Sequence, residues 1–102
     1  MPDRKPRVLV VDDNLEMART LAESLCDHDY AALALGSGAA AAEYLKTEKV
    51  DALVTDLRMP SVDGLALLAL SRSLAPERPV LIMTAFSAVD TAVESIRQGA
   101  YH

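Results

Sequence analysis

Four short apolar runs punctuate the chain: Val8–Val11, Tyr30–Leu35, Ala52–Thr55 and Val80–Met83. Each has the length of a strand, and each is followed by a stretch with helical spacing. The first of these puts Met17, Ala18, Leu21, Ala22 and Leu25 on one face, with Glu16, Arg19, Glu23 and Ser24 elsewhere. The second runs from about Gly38 to Lys46, with Ser37 as N-cap and an alanine-rich body. The third lies between Val62 and Leu74, carries Leu65, Leu67 and Leu68, and is stopped by Pro76. The fourth carries Val89, Ala92, Val93 and Ile96 and closes at Gly99.

Strands alternating with helices predict parallel pairing through right-handed crossovers. Val8–Val11 and Val80–Met83 are apolar without alternation, so both are expected to be covered on both faces. The fold class is therefore α/β, a doubly wound parallel sheet in one domain over residues 1–102. In open sheets of this kind ligands bind beyond the carboxyl ends of the strands. Asp12, Asp13, Asp56 and Thr84 all fall on that edge.

Apolar strands running straight into carboxylates need compensation, because charge beside a core is costly. Three carboxylates in one crevice would repel each other unless a cation relieves them. Hard oxygen ligands favour a hard cation such as Mg²⁺, with a carbonyl and waters completing its shell. A simpler reading of Asp12-Asp13-Asn14 is that an aspartate caps the first helix, which accounts for one of the pair and not for Asp56. The loop Leu57-Arg58-Met59-Pro60-Ser61-Val62-Asp63-Gly64 has turn chemistry at both ends and brings the Arg58 carbonyl near Asp56 as a candidate ligand. Thr84 ends the fourth strand, where its hydroxyl serves local hydrogen bonding or donates to a phosphoryl oxygen. His28 and His102 lack ligand spacing, and Cys26 is expected at the edge of the buried face of the first helix.

Composition narrows the choices. A net charge of −5 and a pI near 4.8 argue against non-specific nucleic-acid binding, which needs a basic face. Four aromatic residues, Tyr30, Tyr44, Phe86 and Tyr101, make a poor stacking surface for bases. The charged start Met1-Pro2-Asp3-Arg4-Lys5-Pro6-Arg7 is unlike a signal peptide, and no apolar run reaches membrane-spanning length. With one cysteine there is no intrachain disulfide, which fits a reducing cytoplasm.

The acidic pair Asp12-Asp13, the stretch from Asp56 to Gly64 and the run Pro79-Val80-Leu81-Ile82-Met83-Thr84-Ala85 together resemble the receiver domain of two-component response regulators. The segment from Thr84 to Tyr101 resembles the nitrogen-regulation type, whose receivers usually precede a sigma-54-activating ATPase and a helix-turn-helix DNA-binding domain. The resemblance implies a flavodoxin-like sheet of strand order 2-1-3-4. It implies that Asp56 takes a phosphoryl group from a sensor histidine kinase. It implies a Mg²⁺ held by Asp12, Asp13, Asp56 and the Arg58 carbonyl, and a Thr84 hydroxyl that senses the phosphate. The helix after Thr84 would carry the change to an output domain, and Arg58 and Phe86 would tune access of water to the acyl phosphate.

The family pattern continues with a fifth strand, a Lys-Pro pair and a fifth helix. The chain stops at Tyr101-His102 and reads as a receiver cut short before that strand, without the pocket lysine. Val80–Met83 is then expected to be an exposed edge for homodimerisation or element exchange. The competing reading is a phosphorylation-incompetent interaction or dimerisation module. A dehalogenase-type phosphatase wants Asp-x-Asp, which Asp12-Asp13-Asn14 does not supply, and flavin binding would set a phosphate against two aspartates.

Overall fold

The computed structural model describes residues 5–83. Seven elements follow in order: β1 (Arg7–Val11), α1 (Leu15–Cys26), β2 (Ala31–Leu35), α2 (Gly38–Thr47), β3 (Ala52–Asp56), α3 (Gly64–Leu74) and β4 (Val80–Met83). The strands form one parallel sheet in the order β2-β1-β3-β4, as the resemblance implies. The expected helix around Val89–Ile96, with Gly99 at its end, lies outside the described residues.

The two faces of the sheet bury different side chains. On one face Leu9, Val11, Leu53, Val80 and Ile82 pack against Ala41 and Leu45 of α2 and Leu67 and Leu68 of α3. On the other, Val8, Val10 and Val54 pack against Ala18 and Ala22 of α1. This is why β1 is apolar without alternation: Val8 through Val11 are all buried, two on each face. In β4 the expectation holds for Val80 and Ile82 only, since Leu81 and Met83, which face α1, are half-buried. Among the described residues β4 is the outer strand on its side of the sheet.

Local sequence sets the helix boundaries. Asn14 is the N-cap of α1, its side chain accepting from the Met17 N–H at 3.3 Å, so neither aspartate takes that role. Ser37 caps α2, as expected, accepting from the Ala40 N–H at 3.1 Å, and Asp63 caps α3 through the Ala66 N–H at 2.9 Å. The buried face of α1 is Ala18 and Ala22, flanked by half-buried Leu15, Leu21 and Leu25. Met17 was expected on that face and is 58% exposed. A stripe from Leu15 through Ala18 and Ala22 to Leu25 already fills the helical face, leaving Met17 outside it. Cys26 is likewise exposed rather than at the edge of the core, its Sγ 3.8 Å from the Ala32 carbonyl.

At the amino ends of the strands, Arg78 ties three segments together. Its Nε donates to the Val50 carbonyl and its Nη1 to the Ser71 hydroxyl, each at 3.0 Å. Ser71 is wholly buried in α3, so the guanidinium satisfies a polar group shut off from water. Arg78→Ala is expected to destabilise the chain by about 1–3 kcal/mol, because it orphans that hydroxyl and the Val50 carbonyl. Urea unfolding checks this as a lower midpoint at unchanged slope.

Candidate functional site: an acidic pocket at the carboxyl edge

β1 and β3 are neighbours in the sheet, in register from Val8 opposite Ala52 to Val11 opposite Thr55. Their carboxyl ends therefore lie side by side, and the residues that follow Val11 stand next to Asp56. Asp12, Asp13 and Asp56 each bring a carboxylate oxygen to within 4.8 Å of the other two. The three sequence-predicted carboxylates thus form one cluster, with Asp13 exposed and the other two half-buried.

Each position is held by backbone. The Asp12 N–H donates to the Leu35 carbonyl at 3.2 Å, extending the β1–β2 ladder by one residue. Its side chain then accepts from the Asn14 N–H at 2.9 Å, turning the chain into α1. Asp56 is the last residue of β3, opposite Met83, and the Leu57 N–H donates to the Met83 carbonyl at 2.9 Å. The loop after Asp56 folds back at once: the Gly64 N–H reaches the Leu57 carbonyl at 2.9 Å. A Cβ at position 64 would stand 2.5 Å from the Asp56 carbonyl oxygen, so only glycine lets α3 start this close to the pocket. Gly38 plays the same part for α2, where a Cβ would overlap the Val62 carbonyl at 1.8 Å. The Asp63-Gly64 pair, read from sequence as a turn, is in fact the cap and close-packing point of α3. The signal at Gly38 was hidden, because a glycine opening an alanine-rich helix looks like any other.

Electrostatics show strain in the cluster. Burial lifts the Asp12 carboxyl above the ordinary aspartate value; the Asn14 N–H opposes this, and the Asp13 carboxyl adds to it. Asp56 is also lifted, by burial first and then by the charge of Asp12; the Leu57 N–H opposes, and Asp13 adds a smaller push. A bound cation would offset both effects by favouring the charged carboxylates, and a set of three carboxylates at one crevice is the donor chemistry a hard divalent ion takes. Arg58, two residues beyond Asp56, is exposed on the loop. Thr84 and Phe86 lie outside the described residues.

With this geometry in place, similarity to known proteins becomes decisive. The response regulator receiver domain family matches residues 8–102. The chain belongs to that family. The response regulator protein FleR of Pseudomonas aeruginosa is 40% identical over 94 residues, which are 92% of this chain and 20% of FleR. The solution structure of the beryllofluoride-activated NtrC4 receiver domain dimer superposes with a TM-score of 0.86 at 31% identity, over 94% of this chain and 79% of that one. A response regulator from Burkholderia pseudomallei, solved with a phosphorylated aspartic acid, a calcium ion and citrate, gives 0.83 at 31% identity, over 94% of this chain and 56% of that one. Other curated relatives are the transcriptional regulatory protein ZraR and the DNA-binding transcriptional regulator NtrC of Escherichia coli, and this chain spans about a fifth of the length of each of the three. Receivers are phosphoacceptor signalling domains rather than enzymes of the ordinary kind.

The raised carboxyls fix the direction of a pH effect. In the unfolded chain both aspartates titrate at their ordinary value, so over the interval above it the fold binds more protons. Their contribution to stability is therefore fully present in acid and lost as pH rises through the folded values. Asp12→Asn keeps an oxygen for the Asn14 N–H and removes one charge. At neutral pH without divalent ions it should melt higher than the parent, by roughly 2–4 °C once solvent screening is allowed for. The difference should vanish in acid. Scanning calorimetry across pH checks it, and an Asp12→Asn chain that melts lower at neutral pH contradicts it.

Proposed function

We propose that this chain is the phosphoacceptor domain of a phosphorelay, a receiver over residues 1–102 in which Asp56 is the acceptor. The observation that supports it is the meeting of Asp12, Asp13 and Asp56 at the carboxyl edge of the sheet. Asp56 sits at the tip of β3, paired with Met83 and followed by the Leu57 N–H bond to the Met83 carbonyl, so its half-buried carboxylate is held at the edge of the sheet. One of its oxygens attacks the phosphorus of a sensor kinase phosphohistidine. A P–O bond forms, the P–N bond breaks, and the imidazole leaves with its electron pair.

Asp12, Asp13, Asp56 and the Arg58 carbonyl would hold Mg²⁺, which supplies charge neutralisation on the transferring phosphoryl group. Asp12 is fixed by the turn into α1 and Asp13 follows it in that turn, so the acceptor and its helpers are positioned by two different strands. The hydroxyl of Thr84 senses the new phosphate, and the segment that follows it in sequence transmits the change to an output ATPase and DNA-binding domain in a longer cytoplasmic regulator. The likeness to the response regulator protein FleR and the phosphorylated aspartic acid in the Burkholderia structure support this over a purely structural interaction module.

Incubation with a small-molecule phosphodonor and Mg²⁺ tests the assignment. Intact mass should rise by one phosphoryl group in the parent chain and not in Asp56→Asn. Equal labelling of the two would remove Asp56 as acceptor, and no labelling of the parent would favour the interaction module.

A further inference from the structure

Among the described residues β2 is an outer strand of the sheet, and nothing in its sequence protects it. Tyr30-Ala31-Ala32-Leu33-Ala34-Leu35 contains no Lys, Arg, Asp, Glu or Pro. Edge strands of stable monomers are ordinarily blunted by such residues. Tyr30 and Leu33 are 39% and 41% exposed. The Ala31 N–H donates to the Pro6 carbonyl at 2.8 Å and the Leu35 carbonyl accepts from the Asp12 N–H at 3.2 Å, so the odd-numbered residues face β1. Ala32 and Ala34 then turn their backbone N–H and C=O groups outward, where the Ala32 carbonyl takes a long bond from the Cys26 thiol at 3.8 Å that a strand N–H would replace.

The groove beside this edge carries charges arranged head to tail. It has a volume of about 560 Å³ and is walled by Arg19 and Glu23 of α1, by its C-cap Asp27, and by Ala32 and Ala34 of β2. The helix runs opposite to the strand: Leu15 packs at Gly36 and Cys26 reaches Ala32. Arg19 and Asp27 lie about one turn on either side of Glu23. Arg19, Glu23 and Asp27 make no ion pair with any described residue. A two-fold axis normal to the sheet, passing the edge level with Glu23, would set two β2 strands antiparallel. It would also lay the two α1 helices alongside each other in opposite directions. Arg19 of each copy then faces Asp27 of the other, and the two Glu23 side chains flank the axis within reach of both arginines.

We propose that the β2 edge is a self-association surface, through which two copies of this chain join their sheets in a closed, isologous dimer. The occupant is a second copy because the groove is complementary to itself: its cation and its outer anion lie at opposite ends, and reversal matches them. A closed two-fold contact also removes both open edges on that side, which a head-to-tail addition does not. The proposal is independent of Asp56 chemistry.

Sedimentation equilibrium over a wide concentration range tests it on this chain. The parent should show a monomer–dimer equilibrium. Ala34→Pro deletes an outward N–H and leaves the β1 ladder intact, so it should abolish the dimer. Leu33→Lys, which leaves the backbone untouched, should do the same while circular dichroism stays unchanged. Arg19→Asp should weaken the dimer about tenfold, and the double variant Arg19→Asp/Asp27→Arg should recover most of that loss. A monomer at every concentration overturns the proposal. So does a dimer that survives both edge substitutions, or a charge exchange that restores nothing.

Discussion

The adjacency of β1 and β3 is the constraint on which this molecule depends. Because these two parallel strands are neighbours and in register, Asp12 and Asp13 cannot follow Val11 without standing beside Asp56. The core holds that pairing through Leu9, Val11 and Leu53 on one face and Val8, Val10 and Val54 on the other. Burial of these side chains, at roughly 1.5–3 kcal/mol each, far exceeds the repulsion among partly solvated carboxylates. The sheet therefore keeps together charges that would otherwise separate, and burial first, with their mutual repulsion behind it, raises the Asp12 and Asp56 carboxyls.

The second requirement is close approach without side chains. Gly64 lets α3 begin against the Asp56 carbonyl, and Gly38 lets α2 begin against the Val62 carbonyl. The loop after Asp56 is thereby gripped from both ends by helices whose own caps, Asp63 and Ser37, are supplied by local sequence. Ser61, at a φ of 66°, takes the left-handed bend that this short return needs. The chemistry of the pocket thus rests on backbone geometry as much as on its carboxylates.

Much of this was legible in the residues themselves. The alternation of Val8–Val11, Ala52–Thr55 and Val80–Met83 with helical stretches announced a parallel sheet, and carboxylates at strand ends announced the pocket. What periodicity could not resolve were choices among near-equivalent neighbours. Asn14 rather than an aspartate caps α1, because Asp12 is still committed to the β1–β2 ladder when the chain turns. Met17 shares the spacing of the buried stripe but stands one position beyond what the sheet can cover. The tie from Arg78 to Ser71 and Val50 joins residues far apart in sequence, and no local pattern signals it. The unprotected β2 edge was visible as an apolar run, yet its outer place in the sheet comes from topology.

The central claim is that the three carboxylates act as one cation-assisted site. Isothermal titration of this chain with Mg²⁺, compared with Asp13→Asn, tests it most directly. One saturable site that is lost or greatly weakened by that single neutralisation is the predicted result. Binding of equal strength in the two chains, or none in the parent, would contradict it.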